Sequence, residues 1–114
     1  MDKKSLKAFN ILPPPSTFRI VDFDKAEVVP GFVSDTFFLI VSGTKPYANM
    51  KVELHALIYI DKPDYWGIEV IGYLPCIGLP HTAPYTVALD ITHIRGKSGV
   101  EVIGATKKQK IKVS

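Results

Sequence analysis

From Thr17 onward, apolar residues recur at every second position or gather in short β-branched and aromatic runs. No window of about eleven residues keeps them at i, i+3, i+4 and i+7 with helix caps. This pattern predicts strands throughout. Over Lys51 to Ile60, Val52, Leu54, Ala56, Ile58 and Ile60 point one way and Lys51, Glu53, His55, Leu57 and Tyr59 the other, so the even-numbered set is expected in the core. Tyr85 to His93 repeats the alternation, with Tyr85, Val87, Leu89 and Ile91 inward and Thr86, Asp90 and Thr92 outward. Trp66 to Leu74 places Trp66, Ile68, Val70 and Leu74 opposite Glu69, Ile71 and Tyr73. Thr36 to Ser42 is apolar on both faces, which predicts a central strand covered on both sides.

Three weaker segments, Thr17 to Phe23, Glu27 to Val29 and Val100 to Ile103, bring the count to seven or eight strands with the C-terminal one. At that end Val100 and Val102 are even-numbered whereas Ile111 and Val113 are odd. Either a bulge near Gly104 resets the register, or the chain turns there and returns as a last strand. In that segment Lys108, Lys110 and Lys112 line one face, as expected of an edge strand protected by charge. Turn signals at Pro30-Gly31, Gly43 to Met50, Asp61 to Gly67, Pro75 to Pro84 and Arg95 to Gly99 separate the runs. The expected architecture is a two-sheet antiparallel sandwich with an immunoglobulin-like Greek key, a small closed barrel being the alternative. Residues 17–114 read as one domain, and Met1 to Ser16, with Pro13, Pro14 and Pro15, as a flexible arm.

Composition alters this picture little. With 114 residues, 46% of them hydrophobic and 22% charged, the chain is globular and long enough for a core without disulfides, and its single cysteine, Cys76, has no internal partner. No apolar run is longer than that from Phe37 to Val41, which is far too short to cross a bilayer, so no membrane insertion is expected. Lys3, Lys4 and Lys7 are followed by prolines where an export signal needs apolar residues, which points to the cytoplasm. The net charge of +3 belongs to the ends: between Ala8 and Thr106 seven basic residues face ten acidic ones. Any binding of nucleic acid is therefore expected to be nonspecific and carried by the terminal lysines.

Candidate chemistry is sparse. Connections in an antiparallel sandwich alternate between its ends, so Gly43 to Met50 and Pro75 to Pro84 should share one end. Asp61 to Gly67 and Arg95 to Gly99 should share the other, with Gly31 to Asp35. His81 and His93 then fall at opposite ends, with His55 in mid-strand, and no metal or other cofactor is expected. Cys76 and His81 form only a weak thiolate and base pair. Two segments suggest binding. Tyr65 and Trp66, with Tyr47, offer aromatic rings for a sugar. Ile77, Leu79 and His81 lie in a ten-residue loop too apolar for an ordinary surface connection and suggest a partner patch. The expectation is a non-enzymatic module that binds a protein or a second copy of itself, with a carbohydrate-binding module as the alternative and a metal- or thiol-dependent enzyme behind both.

Overall fold

The computed structural model describes residues 17–74 and 77–113; the arm expected over residues 1–16, Pro75, Cys76 and Ser114 lie outside the described residues. Eight strands form: β1 (Thr17–Ile20), β2 (Lys25–Pro30), β3 (Phe37–Lys45), β4 (Lys51–Ala56), β5 (Tyr65–Leu74), β6 (Ala83–Asp90), β7 (Gly99–Ile103) and β8 (Lys108–Lys112). There is no helix among the described residues. Five strands, β1, β4, β5, β7 and β8, make one sheet, and β2, β3 and β6 make the other. Neither sheet closes into a barrel.

β5 is the hub of the larger sheet. β4 pairs along one of its edges, Lys51 opposite Tyr73 through Ala56 opposite Ile68. Its other edge is divided between two strands. β1 takes Ile71 to Leu74, antiparallel, and β7 takes Tyr65 to Glu69, parallel. This parallel pair departs from the all-antiparallel sandwich expected from the sequence. The reason is directional: β5, β6 and β7 alternate in direction, and with β6 in the opposite sheet β5 and β7 meet as neighbours running the same way.

The parity conflict at the C-terminus resolves as a turn and a return. β7 and β8 form a hairpin in which Val100 faces Ile111 and Val102 faces Gln109, so even positions of one strand share a face with odd positions of the other. Val100, Val102 and Val113 are buried, while Lys108, Lys110 and Lys112 line the solvent side of an edge strand.

Between the sheets lie Phe23, Leu39, Val41, Met50, Ile68, Val70, Ile91, Val100 and Val102, all essentially inaccessible. Each such side chain contributes roughly 1.5–3 kcal/mol by leaving water, which makes this layer the main source of stability. Expected inward residues Leu54, Val70, Tyr85 and Ile91 are buried, and Val87, Leu89, Ala56 and Trp66 pack at the margin of the same cluster.

Ile58 and Ile60 are the exception. Expected in the core, they are 97% and 102% exposed. β4 stops at Ala56, after which the amide of Leu57 donates to the Gly67 carbonyl at 2.9 Å. Two side chains then replace the ladder: the Trp66 indole donates to the Leu57 carbonyl at 2.8 Å, and the Gly67 amide donates to the Tyr59 hydroxyl at 3.0 Å. Tyr59 packs edge-on against Trp66, with ring centres 5.4 Å apart. Because Tyr59 turns inward, the residues flanking it point to water.

The chain changes sheets between β1 and β2. The Val21 amide still donates to Val70 of the larger sheet at 2.8 Å, and three residues later the Asp24 amide donates to Ser42 of the smaller one at 2.8 Å. In between, Phe23 plugs the core and the Asp22 carboxylate accepts hydrogen bonds from the Thr106 amide (2.7 Å) and hydroxyl (2.6 Å). These bonds, the hydroxyl one foremost, hold the Asp22 carboxyl below the usual carboxylate range. The Tyr85 hydroxyl donates to the Asp22 carbonyl at 2.7 Å. Burial, helped by the Asp24 and Asp22 charges, pushes the Tyr85 phenol up to about 12. The crossing is tight: a Cβ on Gly43 would lie 2.9 Å from the Tyr85 hydroxyl and 3.0 Å from the Phe23 backbone.

Candidate functional site

The end of the sandwich where β5 finishes carries the loops 46–50 and 77–82, as the alternation of strand direction implies. Asn49 clamps them together. Its amide group donates to the Ile77 carbonyl at 2.8 Å, and its carbonyl accepts from the Leu79 amide at 2.9 Å. The Ala48 amide adds a bond to the Leu79 carbonyl at 3.2 Å, and the His81 amide closes a tight turn on the same oxygen at 2.7 Å. Tyr47 packs under this loop, close enough that a Cβ on Gly78 would come within 3.0 Å of its ring. With the backbone so held, Ile77 remains 79% exposed and Leu79 48% exposed, and His81 is exposed beside them. The loop therefore displays its apolar side chains and does not bury them over the sandwich end. Strand alternation puts Asn49 at this end, but its double bond to the opposite loop has no signature in the sequence.

At the other end, where β5 begins, the segments 63–64 and 96–99 are bound together: Lys97 donates to the Pro63 carbonyl at 2.8 Å and Ser98 to the Asp64 carbonyl at 2.7 Å, both through backbone amides. Beside them, Tyr59, Ile60, Asp61, Lys62, Trp66, Thr92, His93 and Arg95 line a cleft of about 380 Å³. Arg95 lies over the Phe37 ring at 4.8 Å, and no carboxylate among the described residues is within ion-pair distance of Arg95 or Lys62. Thr92 is fixed by the Asp90 carboxylate, which accepts from its hydroxyl at 2.6 Å and its amide at 3.0 Å. Those bonds lower the Asp90 carboxyl below its ordinary range.

The three aromatic residues suggested for a sugar do not come together. Trp66 is half-buried in the cleft just described. Tyr65, its neighbour on β5, projects from the opposite face of the sheet, where the Lys110 ammonium lies 5.3 Å from its ring. Tyr47 is at the far end of the molecule, with the Arg19 guanidinium 5.9 Å from its ring. The histidines are likewise apart: His81 and His93 at opposite ends, and His55 on the outer face of β4, hydrogen-bonded to Glu53 at 3.0 Å. Among the described residues no three His, Cys, Asp or Glu side chains are grouped to hold a metal ion. The Cys76 and His81 pair cannot be described, since Cys76 lies outside those residues.

A third surface escaped the sequence reading. β3 is expected to be covered on both faces, yet only its inner face, with Leu39 and Val41, meets the other sheet. On the outer face the register aligns Val29, Phe38 and Asp90 in one row across β2, β3 and β6, and Glu27, Ile40 and Ala88 in the next. Val29, Phe38, Ile40 and Ala88 of these rows, with the Pro30–Phe32 turn, line an open apolar cleft of about 350 Å³. Phe38 is 37% exposed, Val33 69% and Phe32 entirely. The double-sided apolarity of β3 was the available signal; what it lacked was a second sheet to account for it.

No family model matches the chain, and neither the curated proteins nor the solved structures searched contain a significant match.

Proposed function

We propose that this chain is a non-enzymatic β-sandwich interaction module that binds a protein partner through the loop bearing Ile77, Leu79 and His81. The observation that carries this reading is the Asn49 clamp, which holds the backbone on both sides of Gly78 while two large apolar side chains stay in water. A loop whose backbone is already ordered loses little entropy on docking, and exposed apolar anchors on a fixed frame supply the surface that association buries. The Greek-key, immunoglobulin-like description belongs to the same proposal, supported by β5, β6 and β7 alternating between the two sheets. Replacing Ile77 and Leu79 together by Ser tests it. Partners retained by the wild-type chain in affinity capture, and rebound as purified proteins, should be lost from the double variant, whose melting temperature should be nearly unchanged. A variant that melts several degrees lower, or that keeps every partner, removes the loop as the docking site.

The cleft at the opposite end supports a second reading, a carbohydrate-binding module that uses Trp66 with Tyr59, flanked by Asp61, Lys62, His93 and Arg95. An aromatic pair beside hydrogen-bonding groups suits a sugar ring. Trp66 is the single tryptophan, so intrinsic fluorescence reports on this cleft. A saturable change on titration with oligosaccharides supports the reading, and a flat response across neutral and acidic sugars rejects it.

A further inference from the structure

We infer that the outer face of the three-stranded sheet is an interface between two copies of this chain. It is a different surface from the Ile77 loop. The inner side of β3 is buried by the larger sheet, while the outer side, Phe38 and Ile40 with Val29 and Ala88 across the register, is also apolar and is covered by no second sheet among the described residues. Beside it the β2–β3 turn projects Phe32 fully into solvent. That turn is held in shape: Gly31 donates to the Thr36 carbonyl at 2.9 Å, and Thr36 donates back to Val33 through its amide (3.3 Å) and its hydroxyl. Asp35 supplies the left-handed residue at φ 63°, a conformation that Asp tolerates better than most side chains.

Three features favour a second copy over another occupant. First, a protruding aromatic ring and an apolar cleft of about 350 Å³ adjoin on one face, so a two-fold axis lets Phe32 of each copy fill the cleft of the other. Second, the two apolar rows end in the acids Glu27 and Asp90, while Lys25, 3.9 Å from the Glu27 carboxylate, ends the neighbouring polar row with Ser42 and Thr86, so the exposed rim carries charges of both signs. Such a rim meets its own rotated copy without enforced like-charge contact, whereas a uniformly charged rim would call for a partner of opposite sign. Third, strand addition at the edges of this sheet is obstructed by Pro30 at the end of β2 and Pro84 near the start of β6, which leaves packing of face on face. The area bounds the strength. Three strands of about six residues span roughly 14 by 20 Å, and with side-chain relief and the turn this is on the order of 500 Å² per copy. That lies at the low end for specific interfaces and implies a weak, reversible dimer.

Sedimentation of the full chain from about 1 μM to about 1 mM, a range chosen for a weak interface, tests the inference. The expected result is a monomer–dimer equilibrium. Phe32→Ser should raise its dissociation constant at least about thirtyfold, as for a central aromatic anchor. Ala88→Arg, at an exposed position of β6 that lines the cleft, should do the same by preventing close packing of the sheets. Both variants should keep the monomer's melting temperature at low concentration, and the Ile77/Leu79 double Ser variant should dimerise like the wild type. A chain that stays monomeric throughout, or a dimer that survives both Phe32→Ser and Ala88→Arg, overturns the inference. So does a dimer abolished only by the Ile77/Leu79 changes, an outcome that would instead place self-association on the loop.

Discussion

Replacing Tyr85 by Phe removes one oxygen from the point where the chain changes sheets. The ring stays in the core, and the lost group is the hydroxyl that donates to the Asp22 carbonyl at 2.7 Å. Loss of one such bond costs about 0.5–1.5 kcal/mol, at the upper end when the abandoned carbonyl is shielded from water. For a domain near this size that is a fall in melting temperature of roughly 4–8 °C per kcal/mol. The effect should depend on pH in a way few other substitutions can reproduce. The folded chain holds the Tyr85 phenol up to about 12, against 10.0 for an ordinary tyrosine. Between those values the unfolded chain releases this proton while the folded chain keeps it, so the unfolded state binds fewer protons and wild-type stability falls as pH rises. A two-unit difference corresponds to at most about 2.7 kcal/mol, and partial solvent access at the hydroxyl brings the expectation to about 1–2 kcal/mol. The phenyl ring of the Tyr85→Phe variant has no proton to titrate. The stability gap between wild type and variant, measured by urea denaturation at several pH values, should therefore be constant up to about pH 9 and then narrow or invert towards pH 12. A gap that stays constant through the alkaline range, or that widens, refutes both the buried state of the phenol and the role given to its bond.

Leu54→Ala should cost about 2–5 kcal/mol in chemical denaturation and Ile58→Ala less than about 0.5 kcal/mol, although both occupy even positions of one alternating run; equal costs would mean that the run stays in register past Ala56. On acidification, the depressed Asp22 carboxyl should keep its charge and its Thr106 bonds below the pH at which an unfolded Asp protonates. The stabilisation it gives is present above the ordinary Asp range and is lost as pH falls through the folded value. The Thr106 amide resonance followed by NMR should report that step, and Asp22→Asn should abolish it; a Thr106 shift that titrates identically in the variant would assign the step to another group.

The strands were readable wherever one face meets the core and the other meets water, as over Val52 and Leu54 or over Tyr85 to Ile91, because burial imposes the period of two directly. Alternation also placed the loops, since the direction of each strand follows from the one before it. It could equally have separated Tyr65 from Trp66, as consecutive residues of a strand face opposite ways. What alternation does not encode is the point at which a ladder ends. Ile58 and Ile60 keep the period but leave the core because the Tyr59 hydroxyl and the Trp66 indole take over the backbone groups of Gly67 and Leu57, and side-chain capping of this kind has no periodic trace. Nor does it encode which strand sits beside which. The parallel contact of β5 with β7 depends on β6 joining the other sheet, a choice made by packing across the core. The same limit hid the outer face of β3, whose apolar residues announce a cover without saying that the other sheet does not supply it.

The divided edge of β5 has a consequence for how the chain is made. Its Ile71–Leu74 stretch can pair with β1, and its opposite edge with β4, as soon as Leu74 emerges, because both partners precede it. The Tyr65–Glu69 stretch must wait for Gly99–Ile103. At about 5–20 residues per second, synthesis of the roughly thirty intervening residues takes roughly 2–6 s. Throughout that interval an apolar strand edge around Ile68 is open to any other nascent strand. Slower elongation during that interval would lengthen the window and should raise the fraction of insoluble product without changing a single amino acid.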